Sequence, residues 1–419
     1  MNSKERMVLL LLAGINFTHI MDFMIMMPLG NYLMPYFGIS SQQFSMLVAA
    51  YTFSAGASGF FAAFFVDNFD RKRVLLFGYI GFLLGTLCCA LAPSYGFLLA
   101  ARIVAGLFGG LIGAQVLAIV SDLIPYERRG MAMGMVMASF SVASVFGVPF
   151  GLYVANNFNW HGPFFFVAGL GAVFVPLIMR FLPKINAHLH TRRARVRPAE
   201  LIRGIGKDVK QRLALALSAC LMLGHFMIIP FLNPFMEFNM GFSKTQTPLI
   251  YMVGGALTLV SSPILGRIAD KIGKHRLFII LVLLAVVPIA LITNLPDIPF
   301  YLVLCITGFW FIVSSGRSIP AQAMISNVVP SERRGSFMSF NSAIQQIFVG
   351  IASVLAGLIV VNTPSNKVLH YEVTGYISIG IILFSIVIVT RLTTKMKTTG
   401  GQEAPANSAQ SPLQSVPRS

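Results

Sequence analysis

Twelve stretches of about twenty apolar residues, separated by short polar breaks, constrain this chain more than any other feature, because each is long enough to cross the ~30 Å hydrocarbon core of a bilayer as a helix. Their approximate limits are 7–29, 43–66, 74–93, 97–121, 131–155, 163–182, 213–236, 246–269, 275–295, 299–324, 337–360 and 370–391. Only 11% of the residues are charged and 56% are hydrophobic, against roughly 25% charged in a soluble domain, so the surface cannot face water all round. Soluble enzymes and nucleic-acid-binding modules are thereby excluded. The 37 Gly fit helices that pack closely through small residues, since lipid supplies no hydrophobic force between spans. The fold class is an all-α, polytopic membrane protein. Span 1 is of full length and lacks a small-residue cleavage site after it, so it is expected to be retained rather than removed as a signal peptide.

The net charge of +17 would suggest a nucleic-acid partner if the positive residues were spread over one surface, but they lie in the loops. Of the 31 Lys and Arg, 27 fall on one side of the spans and two, Lys244 and Lys367, on the other; Arg102 and Arg317 lie within spans. Positive residues are retained in the cytoplasm, so both termini are expected there, with no nucleic-acid partner needed to explain the charge. Cys88, Cys89, Cys220 and Cys305 fall within spans without metal-ligand spacing, so neither a disulfide nor a metal is expected.

The longest hydrophilic break divides the spans six and six. The expected organisation is an amino-terminal bundle over 1–182, a cytoplasmic linker over 183–212, a carboxy-terminal bundle over 213–392 and a disordered tail over 393–419. Within the linker, the stretch from Pro198 to Lys207 reads either as an interfacial amphipathic helix or as solvated coil. Internal repetition supports the division. Ser121-Asp-Leu-Ile-Pro-Tyr-Glu-Arg-Arg-Gly130 recurs 205 residues later as Ser326-Asn-Val-Val-Pro-Ser-Glu-Arg-Arg-Gly335. Asp67-Asn-Phe-Asp-Arg-Lys-Arg73 recurs 203 residues later as Asp270-Lys-Ile-Gly-Lys-His-Arg276. The chain is a duplicated six-span unit.

Twelve spans, a long central loop and the two repeated basic loops resemble the major facilitator superfamily over about residues 7–391, and most of all its twelve-span drug:proton antiporter branch, in particular the sugar-efflux (arabinose-efflux-like) permeases. The loop after span 2, Ala63-x-x-x-Asp67-Asn68-Phe69-Asp70-Arg71-Lys72-Arg73, departs from the family pattern Gly-x-x-x-Asp-Arg-x-Gly-Arg-Lys/Arg at three positions; the loop after span 8, Gly266-x-x-x-Asp270-Lys271-Ile272-Gly273-Lys274, is closer. Arg102-x-x-x-Gly106 resembles the proton-coupling motif of span 4, and Gly147-Val-Pro149-Phe-Gly151 the antiporter motif of span 5 in its sugar-efflux form. The resemblance implies two pseudo-symmetric six-helix bundles with a midplane cavity between them, and loops at Asp67, Arg71, Asp270 and Lys274 that latch the halves; solvated loop charges are the other reading of those four residues. Asp70, where the family has glycine, adds an acid to the first latch.

Charges within hydrocarbon are costly and point to function. Asp22 lies about 10 Å from the outer end of span 1 and Arg102 about 8 Å from the outer end of span 4, so their depths match. A carboxylate in apolar surroundings holds a proton that a neighbouring guanidinium would displace, so the pair reads as a proton-coupling device, with a static ion pair that fixes helix packing as the alternative. His19, one turn from Asp22, is a candidate proton relay or a packing partner. His225, near the midplane of span 7, is a candidate substrate contact, with Asn233, Asn341, Gln345, Gln346, Tyr51 and Tyr251 as further hydrogen-bonding candidates that would equally join helices. Arg317 is expected to snorkel to the cytoplasmic surface. Gly147, Pro149 and Gly151 need only pack and bend span 5.

No Gly-x-x-x-x-Gly-Lys-Ser/Thr loop is present, so neither ATP hydrolysis nor any cofactor or enzymatic activity is expected. The function expected is secondary active transport in a bacterial inner membrane by a monomer, its partners being a small organic solute (sugar or drug-like), protons and the lipid bilayer. Proton-driven efflux leads. A carboxylate–arginine pair would couple uptake equally well, and from another class a transporter-like lipid translocator or membrane sensor remains open.

Overall fold

The computed structural model describes residues 3–66, 69–186, 198–329, 331–363 and 367–400, and the expected twelve membrane-length apolar helices are all present. In the first half, span 1 is Ser3–Met26, followed by a short helix Gly30–Phe37; spans 2, 3, 4 and 6 are Ser41–Phe65, Arg71–Ala90, Tyr95–Leu123 and Gly162–Phe181. Span 5 is built of Tyr126–Val142, a π-turn Ala143–Gly147 and Val148–Asn157. In the second half, span 7 is Val209–Asn239, and spans 8 to 12 are Thr247–Ile272, Lys274–Thr293, Phe300–Ser326, Ser331–Ile359 and Tyr371–Gly400. A two-stranded hairpin, Val361–Asn362 with Val368–Leu369, joins the last two.

Local chemistry sets the helix starts. Ser40 opens span 2 with a reciprocal capping box: its Oγ accepts from the Gln43 N–H at 3.2 Å, and Gln43 Oε1 accepts from the Ser40 N–H at 3.0 Å. Ser94 caps span 4. Prolines set the irregularities. Pro149 has no N–H to give to Val145, and just before it the Val148 N–H reaches back five residues to Ala143 O, which makes the π-turn of span 5. Span 7 breaks at Met227–Ile228, ahead of Pro230, and ends in a second π-turn, Phe235–Asn239, after Pro234.

The same packing graph recurs in both halves. Spans 2 and 4, 3 and 4, 3 and 6, 1 and 5, and 1 and 6 pack together in the first; spans 8 and 10, 9 and 10, 9 and 12, 7 and 11, and 7 and 12 do so in the second. The halves meet along span 2 with span 11 and along span 5 with span 8, where Gly255 lets the backbones close: a Cβ there would come within 2.9–3.0 Å of Val145 and Ser144. Gly147 and Gly151 seat span 5 on Met21 and Ile25 of span 1, which is the packing role read for that motif.

Some boundaries differ from the sequence reading. The segment Pro198–Lys207 is helical, and span 7 begins at Val209 rather than 213, because Asp208 caps it by accepting from the Lys210 N–H at 2.8 Å. The last helix runs to Gly400, so residues 393–400 are helix rather than tail; 401–419 lie outside the described residues.

Candidate functional site

The face that carries the basic loops is called the basic face here, and the other the opposite face. Asp22 and Arg102 meet between spans 1 and 4. Arg102 Nη1 donates to Asp22 Oδ2 at 2.8 Å, and both side chains are fully buried. Thr86 of span 3, which sequence reasoning missed, donates to the other carboxylate oxygen at 3.0 Å. The guanidinium lies over the Tyr51 ring, 4.3 Å from its centroid, a cation–π contact that keeps the cation in place on its second side. Gly106, one turn along span 4, admits this arrangement: a Cβ there would come within 2.3 Å of Tyr51 O. Gly109 does the same for polar side chains, since its Cβ would lie 2.6 Å from Tyr51 Oη and 3.1 Å from His19 Nε2. Around the pair, both ring nitrogens of His19, Tyr51 Oη, and Nε and Nη2 of Arg102 are buried without hydrogen-bond partners. His19 makes no hydrogen bond to Asp22; its ring packs on Phe82 at 5.6 Å and faces Tyr51 at 6.4 Å. This is a buried polar cluster with unused hydrogen-bonding capacity.

An aromatic chain leads from this cluster into the second half. Tyr51 stacks on Phe23 at 5.7 Å, Phe23 meets Phe226 of span 7 at 5.9 Å, and Phe226 lies edge-on to His225 at 5.3 Å. His225 in turn stacks on Trp310 of span 10 at 5.2 Å, and Phe311 continues to Tyr251 at 6.3 Å. His225, Tyr51 and Tyr251 therefore belong to one continuous lining, with Tyr251 Oη buried and unpartnered. Trp310 was not foreseen, although it is one of only two tryptophans in the chain. Asn341 is occupied differently: it accepts from Ser218 Oγ at 2.5 Å and so joins span 11 to span 7. Gln345 and Gln346 are half-buried, and Gln346 Cβ lies beside Gly56 of span 2.

Arg317 corrects the sequence reading. It is only 1% exposed, so it does not snorkel. Span 10 continues to Ser326 rather than 324, and Arg317 sits nine residues, about 14 Å, from that end, on the face that carries Trp310 and Ser314.

Asn233, expected at the substrate, lies at the opposite face in a tie between the halves. It donates to Pro28 O at 2.9 Å and to Asn31 Oδ1 at 2.8 Å, while Asn31 donates to Glu237. Thr247 Oγ1 donates to the second Glu237 oxygen at 2.8 Å. Asn156 donates to Lys244 O at 2.8 Å, and the Lys244 ammonium sits 4.6 Å over the Tyr32 ring. Ser41 with Asn362, and Ser353 with Ser45 O at 3.2 Å, complete a seam at this end. Among the described residues, the hydrogen bonds between the halves cluster here, so the opposite face is closed.

At the basic face Arg71 donates to Asp122 Oδ2 at 3.0 Å, a tie within the first half. Asp67 lies outside the described residues. Asp270 and Lys274 are exposed. Asp70, read as an extra acid in a latch, instead caps span 3: it accepts from the Arg73 N–H at 3.1 Å and, through its second oxygen, from the Ile185 N–H at 3.0 Å.

The sequence model of the Major Facilitator Superfamily matches residues 12–316 and again 214–418. The MFS-type transporter YwfA of Bacillus subtilis is 29% identical over 327 residues, covering 77% of this chain and 75% of its own length; YceJ of the same organism is 25% identical, covering 86% and 90%. Multidrug resistance protein 3 of B. subtilis is 31% identical over 149 residues, 36% of this chain and 29% of that protein. Among solved structures, the D-xylose-proton symporter superposes with a TM-score of 0.72 at 16% identity, covering 91% of this chain and 96% of that one. A bacterial homologue of the human lysosomal transporter Spinster, in an inward-facing and occupied conformation, gives 0.75 at 13% identity, covering 94% and 98%.

Proposed function

The chain belongs to the major facilitator superfamily, and from that premise we propose that it is a proton-driven exporter of a small organic solute, working by alternating access in a bacterial inner membrane with its basic face in the cytoplasm. The observation that carries the proposal is the fully buried Asp22–Arg102 pair, which lies beside unpartnered polar atoms of His19 and Tyr51. A carboxylate and a guanidinium in that setting have two stable arrangements. Held together, the two charges compensate each other; drawn apart by a helix movement, each is left uncompensated in apolar surroundings, which would give the pair a means of exchanging a proton. Thr86 stays with Asp22 in either state, since a hydroxyl can donate to a carboxylate or accept from a carboxylic acid.

The seam at Asn31, Asn233 and Glu237 ties the halves together at the opposite face, which supports reading the present state as the one that opens toward the basic face. Solute enters from the cytoplasm along the aromatic lining at His225 and Tyr251. Reopening the opposite face separates Asn31 from Glu237, and Asp270 and Lys274 then latch the basic face. The Gly147-Val-Pro149-Phe-Gly151 motif of span 5 and the partial similarity to a multidrug resistance protein favour export over uptake.

The test is proton flux in proteoliposomes challenged with sugars, drugs and lysolipids. A solute-triggered flux that disappears in Asp22→Asn while protein insertion is unchanged is the expected result, and its direction decides between export and import. Solute movement with unchanged proton dependence in that variant would overturn the assignment of Asp22.

A further inference from the structure

The two halves of this chain each bury one arginine in a span, and only one of them has an acid. Arg102 is matched by Asp22. Arg317, 1% exposed, makes no ion pair among the described residues, and its Nη1 is buried with no hydrogen-bond partner. An unpaired guanidinium in the interior of a membrane protein is costly enough that it marks a ligand path or a functional pairing.

Arg317 belongs to a row of polar groups that are left without partners. Trp310, Ser314 and Arg317 follow one another at spacings of four and three residues, so they form one row along the inner face of span 10, about 10 Å long. Trp310 Nε1, Ser314 Oγ and Arg317 Nη1 are all buried and all without partners. Indole and guanidinium nitrogens can only donate. Across the interface with span 8, Thr258 Oγ1 is also buried and unpartnered. His225 stacks on Trp310. The result is a fixed row of donors and one net positive charge, flanked by aromatic rings.

We infer that this row is the receptor for the anionic group of the transported solute: an oxyanion, carboxylate or phosphomonoester, takes at Arg317 the place that Asp22 takes at Arg102, and the solute's apolar body lies along the His225–Trp310 stack. Guanidinium geometry suits the two oxygens of such a group, which bind in a fork and add the Ser314 hydroxyl as a third contact. The inference rests on the reading of the chain as a solute transporter, and its test reads anion binding rather than proton flux.

Trp310 supplies its own reporter. In purified Trp160→Phe protein it is the sole tryptophan, and its fluorescence is titrated with benzoate, phenyl phosphate, octanoate and the neutral isostere benzamide. Saturable quenching by one or more of the anions and none by benzamide is expected; which anion binds tighter separates carboxylate from phosphate recognition. Arg317→Gln lowers affinity about 10- to 100-fold, the loss of one charge-assisted hydrogen-bonded contact, and Arg317→Lys restores part of it. The titration reads anion binding to purified protein with no proton gradient present, so failure of the proton assignment is read separately, in the flux assay. Equal responses to benzoate and benzamide, unchanged affinity in Arg317→Gln, or no saturable response to any of the three anions overturns the inference. A second readout needs no ligand response in the variants: Arg317→Met raises the unfolding midpoint of the unliganded protein, since it removes an uncompensated charge, and abolishes stabilisation by the anions. A fall in that midpoint would show Arg317 to be structural and would refute the proposal.

Discussion

Asp22→Asn and Arg102→Met, singly and together, separate an ion pair that is needed from one that is merely present. Asn at position 22 keeps the shape and still accepts from Thr86 Oγ1, but it leaves the Arg102 guanidinium fully buried with the Tyr51 ring as its main compensation. Leaving one partner of a buried pair uncompensated costs about 3–5 kcal/mol. Arg102→Met costs a similar amount for the converse reason, since Thr86 alone then serves the carboxylate. The double variant removes both charges, and replacing a buried pair by neutral groups is close to neutral or stabilises by about 1–4 kcal/mol. At about 2–4 °C per kcal/mol for a unit the size of one six-helix half, each single change lowers the thermal midpoint by roughly 6–20 °C, while the double variant returns to within a few degrees of wild type. Unfolding of the purified protein followed by intrinsic fluorescence measures this, and all three variants should lose proton-driven transport. Additive losses in the double variant would mean that the two groups do not interact, and the proton switch built on them would fall with that result.

Asn31→Ala removes a donor to Glu237 and the acceptor of Asn233; loss of these bonds, worth about 1–3 kcal/mol together, shifts the population toward the state open at the opposite face by about 5- to 150-fold. Cross-linking of cysteines placed at Ser41 and Asn362, on the same seam, should fall accordingly, and unchanged cross-linking would contradict the closure role. Gly109→Ala puts a Cβ 2.6 Å from Tyr51 Oη and 3.1 Å from His19 Nε2, so those side chains must shift and transport should fall; wild-type flux would show that they are not on the path. Asp70→Ala removes the cap of span 3 and the tie to Ile185, which should cost about 1–2 kcal/mol of stability in the same unfolding assay with little effect on transport once folded.

The bundle architecture was legible because each span is a long apolar run and each turn at the basic face is positive, two patterns imposed by the bilayer itself. The Asp22–Arg102 pair was legible for a simpler reason: two charges at equal depth in hydrocarbon have few partners to choose from. Other residues were obscured by errors in helix ends. Glu237 fell one residue past the expected end of span 7, because the π-turn after Pro234 carries the helix on to Asn239, and its role in the seam went unseen. Arg317 was read as near a surface on the same kind of error. Asp70 looked like a defect in a latch until the fold showed it starting span 3. The stacking of His225 on Trp310 could not be read at all, because helices that are apolar all round give no periodic signal of which face turns inward.

If Asp22 carries the proton and the solute lodges at His225 and Trp310, as proposed, the aromatic chain between the halves is the route by which each would sense the other. Tyr51 lies under Arg102, and the contact of Phe23 with Phe226 is the ring-to-ring step by which that chain crosses from span 1 to span 7. A solute lodging against His225 and Trp310 has to displace or brace Phe226, and Phe226 bears on Phe23 and so on Tyr51. Movement of Tyr51 would remove the cation–π contact on the second side of Arg102 and so loosen its hold on Asp22. Phe23→Ala interrupts the chain without touching the ion pair or the His225–Trp310 stack. Solute binding should therefore stay within about a few-fold of wild type, while the protons exchanged per solute moved fall, so that solute leaks down its own gradient. Flux of both species measured in the same proteoliposomes gives that ratio. An unchanged ratio with normal solute binding would mean that coupling runs through the backbone of the bundles and not through these rings.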